Sequence, residues 1–187
     1  MGAPPTDVLA FLQHRMQAIA IGHLALKHAT SWQAPPPIRI FFGEVQVIEG
    51  SATAFTNGAI EAAIVHCRAL LEFLGLKGDG LRRLAVRTNC KKDDFVIESV
   101  GLPKLSVESA SRMYAGPSSE AEYALAHVIF VANKGLAHTT SSFSKNSGDA
   151  HLLEIAFRGV PMLVLDHFYK PLGLEEPQYE LRSRRAL

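Results

Sequence analysis

His138 stands four residues after Lys134, and Asn133 immediately precedes that lysine. Side chains four apart on a helix share a face. An imidazole that titrates near neutral pH can take or deliver a proton, and an ammonium can neutralise charge developing on phosphorus. Opening a phosphodiester with a ribose 2′-hydroxyl needs a base, an acid and a cation. In that chemistry His138 would be the base or acid, Lys134 the cation and Asn133 a hydrogen-bond donor. The competing role for His138 is local: a helix-end histidine favoured by the C-terminal dipole and bonded to a loop carbonyl.

A second set of candidates lies upstream. Ala59, Ala62 and Ala69 share a helical strip with His66. So little bulk lets a neighbouring helix come close and meet His66 directly, either as a packed histidine or as a site residue facing His138. Arg68 could supply another cation, or be held by Glu72 one turn on or Glu61 two turns back. The stretch Lys77 to Lys92 carries six basic residues against Asp79 alone, which makes Lys91 and Lys92 candidate phosphate contacts if the patch is more than a solvated loop face. His66, His127 and His138 could meet as metal ligands, but no E-x-x-H or H-x-x-x-H pair lies on any helix. No metal or cofactor is therefore expected. The G-x-x-x-x-G-K-[ST], G-x-G-x-x-G and G-x-S-x-G patterns are absent too, which argues against the nucleotide hydrolases and serine hydrolases that use them.

Those side chains need a scaffold, and the chain has the material for one. Its 187 residues are 48% hydrophobic and 20% charged, a composition for one main hydrophobic core. The formal net charge of +1 supplies no global field for nucleic acid or anionic membrane, so such binding must rest on a local patch. No apolar run reaches the roughly 18 residues of a spanning helix. With neither a span nor a secretory leader in view, a cytoplasmic protein is expected, with Cys67 and Cys90 as free thiols.

Four long amphipathic segments define the expected fold: all-α, a bundle of four to five main helices in one domain over 1–187. Thr6 can cap the first helix, whose stripe is Leu9, Leu12, Met16, Ile19, His23 and Leu26. A Pro-rich linker over 31–43 follows. Its end, Ile38 to Phe42, is open to a short strand or irregular packing, and Val45 to Phe55 reads as helix interrupted by Gly50. Ala59 to Leu74 forms the second helix, stopped by glycines from Gly75 onward. A long irregular connection leads to a helix starting at Ser118 or Ser119. The last helix, Ala150 to Tyr169 with Asp149 as cap, should kink or split at Pro161; a strand over Val160 to Leu165 is the lesser alternative. The tail from 177 to 187 is expected to fray.

The segments A-I-V-H-C-R-A-L-L-E-F-L, K-K-D-D-F and A-N-K-G-L-A-H-T-T resemble an uncharacterised bacterial branch of the HEPN superfamily of helical bundles, over about residues 59–169. The resemblance implies a homodimer with a cleft lined by an Arg, a polar residue and a His in an R-x(4 to 6)-H arrangement. It also implies RNA or a nucleotide as ligand, with metal-independent ribonuclease activity in many members and binding without catalysis in others. Asn133 stands where that superfamily usually has its arginine. The alternative is a non-enzymatic assembly module that uses the apolar helix faces and Ile38 to Phe42 for protein association.

Overall fold

The computed structural model describes residues 4–79, 82–91, 94–135 and 147–180. The first helix, α1 (Thr6–Ser31), buries Leu12, Met16, Ile19 and Leu26 on the stripe read from the sequence. Its N-cap is Pro5, and no side chain caps it. Thr6 is already helical, so the expected threonine cap is replaced by a proline whose fixed φ suits a helix start.

The segment after the prolines is not helical. β1 (Pro37–Phe42) and β2 (Val45–Ser51) form an antiparallel hairpin, closed by a two-residue turn in which Gly43 takes φ 63°. This settles Ile38 to Phe42 as strand and overturns the helix expected from Val45. Val45, Val47 and Ile48 favour a pleated strand, and Gly43 supplies a backbone conformation that hairpin turns need. The register slips between Ile40 and Phe41, where a bulge interrupts the ladder.

α2 (Thr53–Phe73) begins six residues earlier than the reading from Ala59. It ends at Leu74, after which Gly75 turns with φ 88°. A Cβ on Gly22 would lie 2.2 Å from the Ala63 Cβ, while Arg15 reaches His66. These contacts run in opposite senses along the two chains, so α1 and α2 are antiparallel.

The long connection holds only short elements over Phe95 to Leu105, as expected, and is preceded by a small hairpin that the sequence reading does not include. β3 (Leu76–Gly78) and β4 (Leu84–Val86) make a second small hairpin, followed by a 3-10 turn (Ile97–Val100) and the short α3 (Val107–Ser111). Gly78 lies against Ile129, which seats the hairpin on the next helix. α4 (Ser118–Phe130) starts where expected, with Glu120 in its first turn, and widens into a π turn over Val131–Gly135.

α5 (Ser147–Val164) passes through Pro161 without splitting and then widens over Leu165–Tyr169. Asp149 lies in its first turn rather than ahead of it. Contacts of Glu120 with His151 and of His127 with Asp149 make α4 and α5 antiparallel. The tail is held as far as residue 180, for Gln13 and Gln17 both donate to the Gln178 carbonyl, at 3.2 and 3.5 Å. The architecture is thus a mostly helical bundle of α1, α2, α4 and α5 carrying two small sheets, rather than purely α. Met16, Ile64, Leu70, Leu125 and Phe157 are among the side chains sealed in its centre. Burying each contributes on the order of 2 kcal/mol of transfer free energy. No helix among the described residues is long and apolar enough to cross a membrane.

Candidate functional site

Polar groups of α1 and α2 pair in separate sets. Arg15 Nη1 lies 3.1 Å from His66 Nδ1, and the His14 ring meets the His66 ring edge-on at 5.6 Å. A guanidinium can only donate, so Nδ1 must accept and the proton of a neutral His66 sits on Nε2. Burial lowers the His66 pKa from its ordinary value, and the charge of Arg15 and the proximity of His14 lower it further. His66 is therefore a neutral donor rather than a stored acid. Arg15 is itself half-buried, with its guanidinium 4.1 Å above the Phe11 ring.

Glu72 is the hub on the other side. Its Oε1 accepts from Arg68 Nε at 2.9 Å, and its charge also acts on Arg15 and Arg87. Arg87 Nη2 donates to Asp94 Oδ2 at 2.5 Å, and the same oxygen accepts from the Lys91 backbone amide at 3.0 Å. Asp94 is held below its ordinary value, first by that amide and then by Arg87. Three bonded groups result: His14 and Arg15 on His66, Arg68 on Glu72, and Arg87 with the Lys91 backbone amide on Asp94. The charge of Glu72 acts on Arg15 and Arg87 without a bond to either. Among the described residues these groups carry the basic side chains of Arg15, Arg68, Arg87 and Lys91 and the carboxylates of Glu72 and Asp94.

His66, Arg68 and Lys91 each hold a partner of their own, and no hydrogen bond among the described residues joins the three. His66 bonds across to Arg15 of α1, as one of its two readings expects, while the other, facing His138, lies outside the described residues; Arg68 is held by Glu72 rather than Glu61. Arg15, His14 and Arg87 complete these groups and were not singled out as binding residues. Arg15 neighbours the core-facing Met16, and a long basic side chain beside an apolar stripe looks in sequence like any solvated cation. Other arginines of the basic stretch are used locally. Arg82 covers the Phe130 ring at 4.1 Å, and Arg83 pairs with Asp79 at 2.9 Å.

Asn133 and Lys134 are exposed on the π turn at the end of α4, which packs against α2. No interaction among the described residues joins either of them to His66 or Arg68. His138 and Lys92 lie outside the described residues. His127 belongs to the core: it is 4% exposed, neither ring nitrogen has a hydrogen-bond partner, and Asp149 Oδ1 is 3.6 Å from Nε2. Burial depresses its pKa, outweighing the opposing charge of Asp149. No group of three or more His, Cys, Asp or Glu able to hold a metal occurs among the described residues. Cys67 is buried, which raises its pKa well above the ordinary value, and Cys90 is exposed. Both are free thiols.

The chain matches no protein-family model, no curated protein and no solved structure.

Proposed function

We propose that this chain is a HEPN-like helical protein that binds a phosphate-bearing ligand, foremost RNA, along the strip from His66 to Lys91, and that it works as a homodimer. The observation that carries the reading is that Arg15, Arg68 and Arg87, from three segments, all feel the charge of Glu72, with exposed Lys91 beyond Arg87, against the two carboxylates Glu72 and Asp94 among the described residues of these groups. A phosphodiester can displace water from exposed Lys91 and from the open side of Arg68. Charge of this kind recognises backbone more than base, so sequence preference should be low.

Cleavage is a separate step of the proposal, and it rests on His138 with Lys134 and Asn133. An asparagine donates a hydrogen bond but brings no charge, leaving Lys134 as a flexible point charge on the reacting phosphate. The protein is therefore read as a binder first. Filter binding of a labelled single-stranded RNA at low salt tests that reading, with capture expected and its absence fatal to it. A cleavage assay in EDTA, run beside His138→Ala, tests the second step; if both proteins leave varied RNAs intact, cleavage is discarded and binding stands on its own result.

One observation favours the assembly reading as well. Phe41, Phe42, Val45, Val47 and Ile48 are all exposed on the β1–β2 hairpin, Phe42 to 73%. Both strands also present an unpaired edge in a two-stranded sheet.

A further inference from the structure

Strand register sorts the side chains of the β1–β2 hairpin onto two unlike faces. Residues directly opposite in an antiparallel pair share a face, and alternate residues of a strand return to it. The extra residue at the bulge is Val47 of β2, so β1 alternates regularly and Ile38, Ile40 and Phe42 lie together. Ile48 stands opposite Ile40, and Val45 opposite Phe42. The reverse face carries Arg39, Phe41, Gln46 and Glu49, and there Glu49 accepts from Arg39 and from Gln46, each at 3.0 Å. One side of the ribbon is thus apolar, and the ion pair is on the other.

The bundle leaves the apolar side open. Phe42 is 73%, Val45 66% and Ile48 41% exposed, while Ile38 and Ile40 are half-buried. A whole phenylalanine presents roughly 200 Å², so these five side chains leave on the order of 400 Å² of apolar surface in water. A homodimer interface of ordinary size takes roughly 800 Å² from each partner, about 65% of it apolar, so this face supplies most of the apolar part. Charge narrows the choice of occupant. The hairpin holds Arg39 against Glu44 and Glu49, a balance that disfavours an RNA backbone or an anionic membrane. The five residues of the apolar face carry no charge, so a second copy meets it without opposing like charges.

We propose that the apolar face of β1–β2 packs on the same face of a second copy, as a two-fold pair of stacked hairpins. Phe42, Val45 and Ile48 form the centre of the contact, and Arg39 and Glu49 stay on the outer, solvated side. This inference rests on the homodimer reading given above and supplies that dimer's contact surface; it does not depend on RNA binding.

The test is sedimentation velocity of the full chain over a concentration series, for the wild type, Phe42→Ser, Val45→Lys and Phe41→Ser. The wild type is expected to dimerise. Phe42→Ser should raise the dimer Kd by roughly tenfold or more, since the two-fold repeats the lost burial on both copies. Val45→Lys, which sets like charges against each other, should weaken the dimer as well. Phe41→Ser makes the same chemical change on the reverse face and should leave the Kd unchanged. All three side chains are more than half exposed, so the variants keep the fold, and their thermal melts verify this. A wild-type chain that stays monomeric at every concentration overturns the homodimer and this contact together. A dimer that survives Phe42→Ser and Val45→Lys, or that Phe41→Ser weakens as much, overturns the contact and leaves the homodimer standing.

Discussion

At the scale of single residues, three depressed histidines set the response to acid. His23, His66 and His127 all sit below the ordinary value of 6.5, with burial the largest cause in each. The unfolded chain therefore takes up protons at a higher pH than the folded one does, and stability falls as pH drops below about 6.5. Asp94, depressed from 3.8, acts in a separate and lower window. Melting temperature measured from pH 7.5 down to 5 should thus decline, and His127→Leu should flatten the decline; an unchanged slope would show that His127 is not kept neutral by the fold. Two glycines give a sharper contrast. A methyl on Gly22 would meet the Ala63 Cβ at 2.2 Å and the Ala59 carbonyl oxygen at 2.8 Å, neither of which can swing away. Overpacking of this kind costs about 1–3 kcal/mol, more than the gain of about 1 kcal/mol in helix propensity, so Gly22→Ala should lower the melting temperature. The atoms nearest a methyl on Gly159 all belong to the flexible Met113 side chain, which can turn aside, so Gly159→Ala should cost less than Gly22→Ala. Thermal melts of the pair decide it, and equal losses would contradict the close α1–α2 approach.

At the scale of elements, the exposed β1–β2 hairpin makes its own prediction. Replacing Phe41 and Phe42 with Ser should leave the melting temperature nearly unchanged, because both are more than half exposed, and should reduce self-association in sedimentation velocity. A large loss of stability would mean that the hairpin tip packs on the bundle. The hairpin also shows why some elements were harder to read than others. α1, α2, α4 and α5 bury one face, and burial is what imposes a period of three to four on the sequence. β2 is exposed along its whole length, so no buried face imposed alternation on V-Q-V-I-E-G-S. At Pro161 the expected kink or split is narrowed: the missing donor does not split α5, whose neighbouring Val160 and Leu163 are held in the core. His66 was legible because small residues around it announced a close helix neighbour. Its partner Arg15 was not, since it lies 51 residues away on a different helix.

At the scale of the molecule, a net charge of +1 means that affinity for a polyanion must come from how charge is placed. The bundle does this by standing α1 beside α2 and bringing the segment after β4 within the field of Glu72, which binds Arg68 and acts on Arg15 and Arg87 through its charge. A strip that contacts phosphates releases counterions in proportion to the contacts, with a slope of about −0.7 per phosphate in a log–log plot against salt for single strands. The most direct measurement is fluorescence anisotropy of a labelled single-stranded RNA across a salt series, for the wild-type chain and for a Lys91→Ala/Lys92→Ala variant. The two cations open to a phosphate, Lys91 and Arg68, predict a slope of roughly −1.4, and the variant should bind more weakly with a slope shallower by about 0.7 for each lysine that touches a phosphate. No binding at low salt, or identical slopes for the two proteins, would contradict the account.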